Sequence, residues 1–164
     1  MSILSAISVP VSDSYAQTLD LAAEARLGTG ALVSSGEGET AWGRAPTNLQ
    51  FDVGLVFDDD KEFEWVLGGI VQLERQVVLG INPKIRLVRE LGRADVRFFA
   101  GLPWYVAPVR RLGAELGGGL HLPVNEFFGW VGILSVQGFF AGADVPDGQT
   151  VLAINGAFGV RLVL

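Results

Sequence analysis

His121 is the single histidine in the chain, and any catalytic scheme has to be drawn around it. A histidine beside a serine, oriented by a carboxylate, is the machinery of acyl transfer. Ser135 lies on the next expected strand and faces the same way, with Glu115 or Glu126 as the orienting acid. No serine sits in a Gly-x-Ser-x-Gly elbow, however, and His121 falls beside the short turn at Pro123–Asn125. The expectation is a structural histidine and no enzyme. One histidine and no cysteine leave little for a transition-metal site. Asp58, Asp59 and Asp60 offer oxygens to a hard cation, but consecutive residues of an extended segment point to alternate sides, so a solvated turn is expected. Gly36-Glu37-Gly38-Glu39 lacks the strand-to-helix setting of a phosphate cradle. No catalytic residue, metal ligand or cofactor is assigned.

The remaining charged residues are isolated among apolar ones, and their spacing shows what must position them. From Arg111 to Leu122, Leu112, Ala114, Leu116, Leu120 and Leu122 alternate with Arg111, Gly113, Glu115, Gly117, Gly119 and His121. A period of two over twelve residues marks a strand, because a helix needs apolar positions three and four apart. The same alternation runs through Glu62–Glu74, Gln76–Leu91, Leu49–Asp58, Leu19–Gly28, Asp95–Leu102 and Ile154–Leu164, and less cleanly through Phe127–Phe140. Between them lie short turns at 58–61, 74–76, 91–94, 107–108, 123–125 and 146–148, each carrying Gly, Pro, Asn or Asp or too short for a crossover helix. Only Thr29–Asn48 reads as a long loop; it carries Trp42 and Arg44, available to a partner or to lipopolysaccharide. Consecutive strands joined this way pair as antiparallel hairpins, and about eight of them close into an up-and-down barrel.

The composition fits. Of 164 residues, 49% are hydrophobic and 18% charged, yet no apolar run approaches the ~18 residues of a transmembrane helix. Twenty-two glycines oppose long helices. The formal charge of −6 excludes nucleic acid as a partner. Length allows one domain, 1–164, with 1–14 as a flexible N-terminal segment. The N-terminus lacks the basic residues of a secretory signal and reads as the start of a mature chain.

A barrel of this kind has two possible polarities. A soluble lipocalin-like carrier turns its apolar face inward around a ligand, whereas a membrane barrel turns it outward to lipid. Small residues between the charges, as at Gly113, Gly117 and Gly119 around Glu115, suit a narrow lumen. The other face is almost free of charge, Arg89 near a turn excepted, which is the segregation lipid enforces. The closing segment Ile154-x-x-x-Phe158-x-Val160-x-Leu162-x-Leu164 is similar to the C-terminal strand of bacterial outer-membrane barrels, with Leu where Phe or Trp usually ends it. Over the whole chain the pattern resembles the small eight-stranded barrels of the outer-membrane protein A class. That resemblance implies an outer-membrane location, a monomer surrounded by lipid or detergent, and delivery by the outer-membrane assembly machinery through the last strand. Trp104, Tyr105, Phe127, Phe128 and Trp130 are expected to form aromatic belts.

With that polarity, Asp20, Glu24, Arg26, Asp52, Glu64, Glu74, Lys84, Arg86, Asp95, Arg97, Arg111, Glu115, His121 and Arg161 point inward. Folding about Arg75 sets Glu64 opposite Arg86. Aligning the termini sets Asp20 near Arg161, and Glu115 falls diagonal to Arg97. Such charges must pair. The expected role is a structural or small-pore membrane barrel with a largely plugged lumen; a lipocalin-like carrier and a membrane lipid-modifying enzyme are the alternatives.

Overall fold

Alternating residues fold as strands here because each strand can bury one face and give the other to a different medium. The computed structural model describes residues 20–36, 39–57, 62–74, 76–145 and 149–164. They form nine segments: β1 (Asp20–Gly36), β2 (Glu39–Phe57), β3 (Phe63–Gln72), β4 (Val78–Leu91), β5 (Ala94–Gly101), β6 (Trp104–Ala107), β7 (Arg111–Pro123), β8 (Phe128–Ala141) and β9 (Thr150–Val163). All pairings are antiparallel, neighbours in sequence pair in turn, and β9 returns to β1 to close the ring.

Nine segments make eight staves. β5 and β6 both lie between β4 and β7, and their register is continuous: Lys84 faces Gly101 and Ile81 faces Trp104 without a shift. Leu102 and Pro103 break the ladder between them because proline has no N–H to donate. Leu102 N still donates to the Pro83 carbonyl (3.0 Å), and Gly113 N to the Pro103 carbonyl (2.9 Å), but Pro83 and Pro103 return nothing.

The expected loop at Thr29–Asn48 is instead a hairpin. β1 continues on β9 from Gly28↔Ala157 to Ser35↔Thr150, and β2 follows it from Glu39. Gly28, Gly30, Gly43 and Pro46 read locally as breakers; the pairing with β9 overrides them, and a bulge at Thr29 absorbs Pro46 and Thr47. Gly30 is required for this approach, since a Cβ there would strike the Ile154 carbonyl. The remaining turns match: β3 ends at Gln72, β4 at Leu91, β6 at Ala107 and β7 at Pro123, with Gly92 at φ +67°. The aspartate run 58–60, the segment 1–14, Arg75 and the turn 146–148 lie outside the described residues.

The alternation also sets the polarity. Leu67, Leu116, Leu134, Phe98 and Phe158 are outward and exposed, whereas Glu24, Glu64, Arg97 and Glu115 are inward and no more than 5% exposed. That is the reverse of a lipocalin-like carrier. Among the described residues no helix is long and apolar enough to cross a membrane; the strands carry the apolar surface. Of the expected belt, Trp104, Phe127 and Trp130 face outward, with Trp130 stacked on Phe158 at 5.5 Å. Tyr105 does not. It follows Trp104 directly, so it takes the opposite face, and it is 3% exposed within the lumen.

Candidate functional site

Inside the ring, β1, β2, β3, β4, β5 and β9 each contribute inward charges on the half nearer the termini. Glu24 is the hub. Its carboxylate accepts from Arg26 (2.7 Å), Arg86 (2.8 Å), Arg97 (2.6 Å) and Arg161 (2.8 Å). Asp52 takes Arg26 (2.5 Å), Lys84 (3.1 Å) and Arg86 (3.1 Å), and Glu64 takes Arg86 (2.7 Å) and Arg161 (2.6 Å). Arg86 therefore touches all three carboxylates, as only a forked donor can. The contacts in this cluster set five cations on three carboxylates. Asp95 and Glu115, elsewhere in the lumen, bring carboxylates to match.

The register explains which residues meet. Glu64 lies opposite Arg86 across β3 and β4. Arg161 lies opposite Glu24 on β1, four residues from Asp20; Asp20 lines the same mouth of the barrel as Arg161. Glu115 lies opposite Gly101 rather than beside Arg97, and accepts from Asn82 (2.5 Å) and Gln137 (3.0 Å). Arg111 lies over the rings of Tyr105 (5.0 Å) and Phe139 (4.7 Å). Glu74 is not in the lumen: it is exposed and pairs with Arg44 (2.8 Å) outside, because it stands two residues beyond the end of β3.

Space for the charges comes from glycine. A Cβ at Gly117 would strike the Phe99 ring, and one at Gly129 would strike His121 Nε2. His121 Nδ1 lies 2.7 Å from Asp95 Oδ2, while its Nε2 has no protein partner. Ser135 lies opposite Gly117, four residues from His121 along β7, or roughly 13 Å at strand rise. The serine and histidine are too far apart for nucleophile and base. Among the described residues no group of three or more acids, histidines or cysteines is placed to hold a metal.

Beyond the charges, toward the mouth remote from the termini, the lumen becomes apolar. Ile70, Val78, Tyr105, Phe139, Val151 and Ala153 pack together there, with Leu32, Val109 and Val145 against them. Sequence reasoning missed this apolar cluster. Ile70, Val78 and Val151 are apolar residues on the inward face, and their type alone does not set them apart from outward ones. At the opposite mouth a cavity of about 930 Å³ opens between Asp20, Glu62, Asp95, His121 and Glu126, with Glu64, Arg97 and Arg161 at its lining.

A closed ring of eight antiparallel staves, apolar outside and charged within, has the fold of the small bacterial outer-membrane β-barrels. Its outer face is apolar along the staves, with exposed charges such as Arg44, Glu74 and Arg89 toward their ends. No protein-family model matches the sequence, and no curated protein matches it. Solved structures do match. Neisserial surface protein A covers 88% of this chain and 96% of its own, at TM-score 0.59 and 9% identity. Ail of Yersinia pestis, solved with sucrose octasulfate, covers 87% and 99% at TM-score 0.45 and 11% identity. At such identities the likeness to the first is one of fold alone.

Proposed function

We propose that the chain is a structural outer-membrane barrel, a single domain whose lumen is closed by two stoppers in series, and not an enzyme. The observation that carries this is the fourfold contact of Glu24, which ties β1 to β4, β5 and β9 across the lumen. An open water column would separate these staves; the ion pairs draw them together and fix register. The apolar cluster around Tyr105 and Phe139 closes the other half. Assembly through the C-terminal strand and a monomeric state belong to the same reading.

Planar-bilayer recording of the refolded protein tests it. The expected result is no unitary conductance. A second reading, a narrow pore, is favoured by the cavity that reaches from the mouth to Arg97 and Arg161. Steady current in the wild type, altered by Glu64→Gln or Arg97→Gln, would establish that reading and end the first.

A further inference from the structure

The ladder is weakest where two of its prolines meet. Pro83 on β4 faces Leu102, and Pro103 faces Gly113 on β7; each pair keeps one hydrogen bond of its two. Proline is ordinarily confined to edges of sheets, and here two of them sit on adjacent staves in the wall of a closed barrel.

The outer surface over this seam is hollow. A groove of about 870 Å³ crosses five staves in two register rows. One row runs Val53, Leu67, Pro83, Leu102 and Ala114; the other runs Leu55, Trp65, Ile85, Ala100 and Leu116. Its floor is low because Pro83, Ala100 and Ala114 are short, while Trp65, Leu67 and Leu116 stand well exposed beside it. Beneath it runs the inward row Val66, Lys84, Gly101 and Glu115, in which Gly101 carries no side chain.

We propose that this groove seats one acyl chain of a membrane phospholipid. The occupant follows from position. The groove is continuous with the apolar exterior on every side, so only hydrocarbon reaches it, and its lining is apolar throughout its outer rows. A straight chain in a recess makes contacts on three sides where annular lipid makes them on one. A seated chain would pack across β3, β4, β5 and β7 over the seam where two ladder bonds are absent. This inference rests on the membrane-barrel reading above.

The test is phospholipid retention. The barrel is refolded into vesicles of palmitoyl-oleoyl phosphatidylethanolamine and phosphatidylglycerol, extracted into mild detergent, and examined by native mass spectrometry. The double variant Ala100→Leu, Ala114→Phe fills the groove; Ala25→Leu, on the outer face of β1, is the control. Wild type and Ala25→Leu are expected to carry a single phospholipid and the filled variant none. Equal retention in all three, or a bare or detergent-only wild type, overturns the groove. Unheated and boiled electrophoresis of each sample keeps this apart from failure of the fold: folded barrels without lipid defeat only the groove, whereas a wild type that folds monodisperse without detergent defeats the membrane reading itself.

Discussion

Glu24 is the residue on which most of the lumen depends, because four guanidinium groups share its two oxygens. Glu24→Gln leaves those cations crowded and short of a carboxylate. Removing one partner of a buried ionic cluster costs about 3–5 kcal/mol, and urea unfolding of the barrel in vesicles should show a loss of that size. Glu64 and Arg86 provide a finer test. Glu64→Gln and Arg86→Gln should each destabilise, and the double variant should lose less than the two losses summed, with a coupling of about 0.5–3 kcal/mol. Strictly additive losses would show that the contact carries no energy of its own. The Glu64–Arg86 juxtaposition is legible in the sequence because a short turn joins their strands and residues can be counted from it. Arg161 is legible only in part. No turn joins β9 to β1; counting from aligned termini brings Asp20 to the same mouth as Arg161, while the register across the closure sets Glu24 directly opposite. Glu115 escapes as well: it is expected diagonal to Arg97, and the register instead sets it across from Gly101.

Strands and their polarity are the most legible part of the molecule, since a period of two is a local property that survives any register. What local reading misses is extent. Thr29–Asn48 looks like a loop because glycines and a proline crowd it, and only the distant β9 makes it a hairpin. Contact across that closure is also the most exacting. A Cβ at Gly159 would meet the Ala25 carbonyl and the Arg26 Cα. Gly159→Ala must push β9 off β1, at a cost of about 1–3 kcal/mol or more for an overpacked site. The expected readout is a reduced fraction of heat-modifiable barrel after refolding, and an unchanged fraction would mean that the two staves have slack. The proline seam predicts the opposite sign. Pro83→Leu returns a donor to the Leu102 carbonyl and keeps an apolar residue on the outer face. Restoring that bond should add about 0.5–1.5 kcal/mol and slow hydrogen exchange around Leu102. Faster exchange would show that the proline ring itself supports the wall.

At the scale of the whole molecule, polarity decides behaviour. Outward Leu, Val, Phe and Trp line every stave, so folding is expected to need detergent or lipid. Unheated protein in SDS should migrate apart from boiled protein, and only when refolding included an amphiphile. The two lumen clusters were unequally legible at this scale. The charged one is announced by ions at alternate positions of apolar strands. The apolar one is hidden, because Tyr105, Phe139 and Val151 carry residue types that the outer face also uses, and only the ring tells inside from outside.

The hub at Glu24 has one more consequence, which concerns completeness. Its ligands arrive in chain order, Arg26 first and then Arg86 and Arg97, and Arg161 stands 137 residues after Glu24 itself, on the last strand. Until that strand is in place, the hub lacks its fourth ligand and Glu64 lacks its second. The ion cluster therefore acts as a checksum on the polypeptide: a truncated or misregistered copy holds every earlier digit and still fails to add up.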